Sequence, residues 1–196
     1  MFEDDRNWII NNTDNGIITS AAVSAQGISR GVLSRLVAEG YLVRCSRGIY
    51  ILADEWEDEF YLLQQKYKRG IYSHTSALYL LGYSQRVPLT LHMTFPTVYN
   101  SASLKNENVQ ITRVNDINYK LGVTTAVTPS GNTVAVYDIE RSLCGVLRGK
   151  GDDIQVVQYA MKKYAASREK DINKLMNFAR QLRVEPKVRK YMEVLL

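Results

Sequence analysis

The chain has 196 residues, 45% hydrophobic and 23% charged, with a formal net charge of +5, an ordinary globular composition able to bury a core without disulfides or metals. The two cysteines, Cys45 and Cys144, lie far apart without metal-ligand spacing, which predicts reduced thiols, buried or half-buried, in a cytoplasmic protein. No stretch approaches the roughly 18 apolar residues of a membrane span, and the acidic start has no apolar signal-peptide core, so neither insertion nor export is expected.

The charge is sorted into blocks. Residues 26–52 carry four arginines (Arg30, Arg35, Arg44, Arg47) against one acid, Glu39. Residues 54–59 hold five acids and no base, whereas residues 148–196 hold twelve Lys/Arg against six Asp/Glu. The net charge alone is weak evidence for nucleic acid; its concentration in two segments says more.

In chain order, residues 3–12 predict a short helix around Trp8, Ile9 and Ile10, followed by turn residues 12–16 that end on Gly16. Ile17, Ile18 and Thr19 form a short β-branched run, and Ser20 stands as an N-cap for a helix that Gly27 ends. Ser29 caps the next helix, residues 30–39, whose Val32, Leu33, Leu36 and Val37 share one face. Two β-rich runs, 41–45 and 49–52, then flank Ser46-Arg47-Gly48, a hairpin signal. Two short helices joined by a tight turn and followed by a hairpin make a winged helix-turn-helix. A domain boundary is expected near Ala53, giving a DNA-binding domain of residues 1–53 and a second domain of residues 54–196.

Beyond the acidic patch, residues 60–69 predict a helix, and Ser73 caps another through Leu81. Residues 89–95 read as a strand stopped by Pro96, and residues 109–114 as a second. Residues 119–127 and 133–137 flank the turn Thr128-Pro129-Ser130-Gly131, and Asp138 caps a helix through Leu147. Residues 153–164, 167–182 and 185–195 predict three closing helices. The expected fold class is α+β: an N-terminal winged helix-turn-helix followed by a mixed α/β C-terminal domain ending in a helical tail.

A recognition helix packs one face inward and presents polar and basic groups from its first turns. With Val32, Leu33, Leu36 and Val37 inward, Ser34 and Arg35 point away, Arg30 lies on the flank and Ser29 at the cap. The arginine fork meets guanine O6 and N7 or a phosphate, and serines and N–H groups at a helix start hold phosphate. Arg44 and Arg47 add charge on the hairpin, Arg47 beside the wing tip. Ser29, Arg30, Ser34, Arg35, Arg44 and Arg47 are therefore the candidate contacts to double-stranded DNA. Winged helices also serve as protein-binding modules, and that alternative stays open. A basic set in the tail (Lys162, Lys163, Lys170, Lys174, Arg183, Lys187, Arg189, Lys190) has three readings: a solvated face, a second nucleic-acid patch, or a contact for an acidic partner.

Catalysis needs a constellation, and no phosphate-binding glycine loop, zinc-ligand pattern or nucleophile elbow occurs in the sequence. No enzyme activity, cofactor or metal is expected, and the acids of 54–59 read as solvated linker and helix start. His74 and His92 read as hydrogen-bonded structural residues, Asp138 as an N-cap, and Glu140 and Arg141 as members of surface or interdomain ion pairs.

The blocks Ser46-Arg47-Gly48-Ile49-Tyr50, then Ser73 to Gly82 (SHTSALYLLG), then Pro88 to Pro96 (PLTLHMTFP), then Thr128-Pro129 with Asp138 to Cys144 (DIERSLC) resemble the AbiEi antitoxin family of type IV toxin–antitoxin systems. The resemblance spans nearly the whole chain, and the order of the blocks carries it. It implies a winged helix that represses its own operon at an inverted repeat, and a C-terminal domain that counteracts a nucleotidyltransferase-like toxin in abortive defence against phage. It also implies that no stable complex with the toxin forms. The family pattern commonly continues after the last block with an acidic residue; here Gly145 stands there. A monomer or a dimer paired on two half-sites fits such an operator. A winged-helix regulator with an unrelated effector or protein-interaction domain is the alternative.

Overall fold

The structure, a computed structural model, describes residues 2–100, 104, 107–149 and 152–195. It divides into two compact units, residues 1–68 with 128–132, and residues 69–127 with 133–196.

The first unit runs α1 (Phe2–Asn11), β1 (Ile17–Thr19), α2 (Ser20–Ala25), α3 (Arg30–Ala38), β2 (Leu42–Ser46), β3 (Ile49–Leu52) and α4 (Glu59–Lys66). The three strands form one antiparallel sheet in the order β1-β3-β2. Gly27, at φ +80°, takes the left-handed conformation that glycine adopts without steric cost, and turns the chain between α2 and α3. The N–H groups of Gly27 and Ile28 close that turn on the Ser24 and Val23 carbonyls. Ile9, Val23, Leu33, Leu36 and Leu42 form the core under the two helices, with Val32 and Val37 half-buried beside them, so α3 buries the face its periodicity indicates. Ser29 caps α3, its Oγ accepting from the Gly31 N–H at 3.3 Å. The cap of α2 is Thr19 rather than Ser20: Thr19 holds extended backbone and its Oγ1 accepts from Ala22 N at 3.2 Å, while Ser20 is already helical.

The division after Lys68 differs from the boundary expected near Ala53. Tyr61 and Leu62 of α4 pack on Ile17, Ile49 and Ile51, so α4 completes the apolar cover of the three-stranded sheet. Its N-cap, Asp58, is only 4% exposed, unlike the solvated linker residue expected. One carboxylate oxygen accepts from Tyr61 N at 3.1 Å, and the other accepts from Thr128 Oγ1 and from Asn132 Nδ2.

The second unit comprises β4 (Ile71–Tyr72), α5 (His74–Leu80), β5 (Leu91–Pro96), β6 (Val109–Val114), α6 (Asp116–Lys120), β7 (Val123–Val127), β8 (Thr133–Tyr137), α7 (Ile139–Arg148), α8 (Ile154–Ala166), α9 (Ile172–Gln181) and α10 (Glu185–Leu195). Its mixed sheet has the order β6-β5-β4-β8-β7, with β4–β8 and β5–β6 parallel. The two-residue β4 at its centre is too short to register as a periodicity. The strand expected from residue 119 begins at Val123, because Asn115 caps α6, its Oδ1 accepting from Asn118 N at 2.9 Å.

Helix α7 is the axis of the helical core, with Leu143, Cys144, Val146 and Leu147 packed among α8, α9 and α10. Enclosed this way, residues 140–147 keep no solvent face. Glu140 and Arg141, expected in surface or interdomain ion pairs, are therefore buried at 4% and 5% exposure. Asp138 caps α7 as expected, accepting from Arg141 N at 2.8 Å. Cys45 is half-buried and Cys144 buried, both as free thiols; burial pushes the Cys144 thiol up to about 12.

Candidate nucleic-acid interface

All six candidate DNA-contacting side chains are exposed, but they are held differently. Arg30, first in α3, donates from Nε to Ser24 Oγ at 3.0 Å. This fixes the stem against α2. Gly31, also exposed, has nothing around its would-be Cβ nearer than Ser29 Oγ at 3.5 Å. Ser34 projects outward one turn further along the same helix.

Arg35 is more committed than its outward position suggests. Its Nε is ion-paired with Glu39 at 2.7 Å, and its guanidinium lies 3.6 Å from the Phe2 ring centroid. An exposed i,i+4 pair is weak, but the ring and the carboxylate together turn the fork toward α1, so Arg35 has to release Glu39 before reading a base bidentately.

Arg44 donates from Nε to the Ser46 carbonyl at 3.4 Å, across the point where the β2–β3 register shifts. That irregularity twists the hairpin near its tip. Gly48 completes the tip at φ +78°, where a Cβ would fall 2.7 Å from Ser20 Oγ, and its carbonyl accepts from Ser20 N at 2.8 Å. The wing tip is thereby tied to the first residue of α2, next to the positive end of that helix. Arg47 stands exposed at this tip with no hydrogen bond or ion pair to another described residue. The sequence reading missed Ser24 and Phe2, which orient Arg30 and Arg35; only the serine's place three residues before Gly27 hinted at a role.

The basic residues of the tail do not form one set of free charges. Lys174 lies 2.9 Å from Asp138 and 3.2 Å from Glu140, at the start of α7. Lys187 donates to the Leu147 carbonyl at 2.7 Å, at the other end of that helix, about 15 Å away by helical rise. Lys163 donates to the Gly82 carbonyl, Lys170 to that of Ser167, and Arg189 to Glu185. Arg183 is exposed in a turn at φ +60°. Lys162 and Lys190 do come together, lining a cleft of about 450 Å³ with Tyr191 and Val194. Among the described residues no three His, Cys, Asp or Glu are placed to hold a metal ion, and no helix is long and apolar enough to cross a membrane.

Comparison with known proteins gives one likeness of fold and one match to a family model. No curated protein sequence matches the chain. The crystal structure of the Rv2827c protein from Mycobacterium tuberculosis is similar in fold, with a TM-score of 0.50 at 12% identity, over 90% of this chain and 75% of that one. Residues 13–53, from the turn before β1 to the end of the wing, match the family model described as a transcriptional regulator, AbiEi antitoxin. The winged helix-turn-helix is thus the part of the chain that is similar to the AbiEi antitoxin transcriptional regulators.

Proposed function

We propose that the protein represses its own operon by binding an inverted repeat through the winged helix, and that the C-terminal domain, expected over residues 54–196, counteracts a nucleotidyltransferase-like toxin in a type IV toxin–antitoxin system directed against phage. The observation that carries the DNA half of this reading is the pinning of Arg30 at the start of α3 by Ser24, beside a wing whose Arg47 is unengaged. A side chain held in place before binding loses less entropy on meeting a base. The antitoxin half follows from the family of the first unit and from the resemblance of the later sequence blocks. Antitoxin action without a stable toxin complex, in the cytoplasm and by binding rather than catalysis, completes the reading. Two copies on two half-sites fit a two-fold operator.

The test is fluorescence anisotropy of the full chain on its own upstream duplex and on a scrambled duplex, across a salt series, for wild type and the Arg30→Ala/Arg35→Ala variant. The reading expects tighter binding to the upstream duplex, lost in the variant. Binding to neither duplex at low salt would make the winged helix a protein-binding module. The antitoxin half is tested separately by rescue of growth when the adjacent toxin gene is expressed with this chain.

A further inference from the structure

Strand β7 forms one edge of the five-stranded sheet, where β8 is its only neighbour. The pairing is antiparallel and runs from Val123 opposite Tyr137 to Val127 opposite Thr133 without a register shift. Just beyond its two ends, Asp138 N donates to the Gly122 carbonyl at 2.7 Å and Thr128 N donates to the Asn132 carbonyl at 2.8 Å. Hydrogen-bonded and non-bonded pairs alternate along an antiparallel ladder. Thr124 and Ala126 therefore turn their N–H and C=O groups to β8, while Val123, Thr125 and Val127 turn theirs outward. These outward groups have no hydrogen-bond partner among the described residues.

The edge is open. Thr124 and Thr125 are exposed, as are Val123 at 45% and Val127 at 62%, and Ala126 is half-buried. Sheets usually blunt such an edge with a charge, a proline or a bulge. The opposite edge strand, β6, carries Arg113. The run Val-Thr-Thr-Ala-Val of β7 has no charge and no proline, and its ladder has no bulge. Its β-branched residues suit a strand paired on both sides.

The strand is also complementary to itself. A second β7 laid antiparallel about a two-fold axis at Thr125 sets Thr125 opposite Thr125, Val123 opposite Val127 and Thr124 opposite Ala126. The outward residues then fall at the hydrogen-bonding positions, and each facing pair can exchange two bonds. Val123, Thr125 and Val127 share one face of the strand, so valine meets valine on either side of a threonine pair, and no like charges meet. A foreign strand would be held by its backbone alone, whereas a second copy matches side chain to side chain.

We propose that β7 is a dimerisation edge, to which a second copy of this chain adds its own β7 in antiparallel register about Thr125, joining the two five-stranded sheets. Such an interface is isologous, the same patch serving both copies. A five-residue edge buries less than the roughly 1,200 Å² of a standard stable interface, so the dimer exchanges with monomer. The pairing needs no DNA, and its test is separate from that of the DNA-binding reading.

The experiment is sedimentation equilibrium of the full chain without DNA, from about 5 to about 500 μM, a range that spans weak association. The mass should rise from one chain toward two. Thr125→Pro removes an N–H that β8 does not use, a change an edge strand tolerates, and should weaken dimerisation about tenfold or more with the circular dichroism spectrum unchanged. Thr125→Lys sets two like charges opposite each other at the axis and should act the same way, which keeps the test intact if the proline variant is poorly folded. Register is read by cross-linking in a Cys45→Ser background, with oxidised glutathione accepting the two electrons that a pair of thiols gives up. Thr125→Cys faces its own copy with Cα atoms about 5.5 Å apart, within disulfide reach, and should cross-link. Val123→Cys lies about 13 Å along the strand from its copy and should not. A wild type that stays monomeric over the whole range overturns the proposal. So does a dimer that both Thr125 variants leave unchanged, or a Val123→Cys chain that cross-links as readily as Thr125→Cys.

Discussion

Arg30 Nε donates to Ser24 Oγ at 3.0 Å, so the first residue of the recognition helix is aimed by the helix before it. Ser24→Ala should leave the fold intact and weaken specific DNA binding less than Arg30→Ala does. If the serine acts only by positioning, its loss adds little in a chain already lacking the arginine. A double-mutant cycle on the upstream duplex checks this, with an expected coupling of about 0.5–1.5 kcal/mol, the net worth of one hydrogen bond. Additive effects would mean that Ser24 does not act through Arg30.

Arg47 stands at the wing tip with no partner among the described residues. If it meets phosphate, Arg47→Ala should weaken binding to upstream and scrambled duplexes alike. The slope of log K against log salt should then shrink by about one. Loss confined to the upstream duplex would instead mark Arg47 as a base reader.

Lys174 is a structural cation. It faces the buried Glu140 and the cap residue Asp138; burial lowers its pKa, and the hydrogen bonds and charges of these two carboxylates together outweigh that and raise it. Lys174→Met should leave Glu140 with Tyr164 as its remaining donor and destabilise the protein by about 1–3 kcal/mol. The salt dependence of DNA binding should not move. A changed salt slope with unchanged stability would return Lys174 to a nucleic-acid patch.

Asp58 serves Tyr61 N, Thr128 Oγ1 and Asn132 Nδ2 from a buried position. Asp58→Ala strands these donors and should cost about 2–4 kcal/mol. Asp58→Asn keeps an acceptor and should cost less. Urea unfolding followed by the fluorescence of Trp8 and Trp56 reports on this unit. A loss below about 0.5 kcal/mol, the level of an ordinary surface change, would show that the network contributes little.

Burial depresses His74 from its ordinary 6.5 to about 3. Between those values the unfolded chain holds the proton and the folded chain does not. Stability therefore falls as pH drops below 6.5, at up to about 1.4 kcal/mol per pH unit from this group. His92, also lowered by burial, adds in the same direction. His74→Asn removes the titration, and asparagine tolerates the φ of +51° found there. The variant should show a shallower loss of stability between pH 6.5 and about pH 5; an unchanged slope would mean that His74 is solvated in the native state.

The sequence by itself determined the winged helix, because its signals are local. Ser29 caps α3, Gly27 and Gly40 end α2 and α3, and Gly48 turns the wing, each acting on residues within one helical turn or hairpin loop. The periodicity of Val32, Leu33, Leu36 and Val37 specifies the buried face without reference to distant chain. The exposure of Arg30, Ser34, Arg44 and Arg47 follows from the same arithmetic.

Only the tertiary structure decided which of those side chains are free. Arg35 is drawn to Phe2, more than thirty residues earlier, and no local pattern encodes that contact. The enclosure of α7, which turns Glu140 and Arg141 into buried groups, depends on helices α8, α9 and α10 arriving from later in the chain. The unit boundary moved past α4 because Tyr61 and Leu62 cover Ile17, Ile49 and Ile51. Capping and turns are short-range energies legible in a window of residues. Burial and charge pairing are sums over neighbours that only the folded chain brings together.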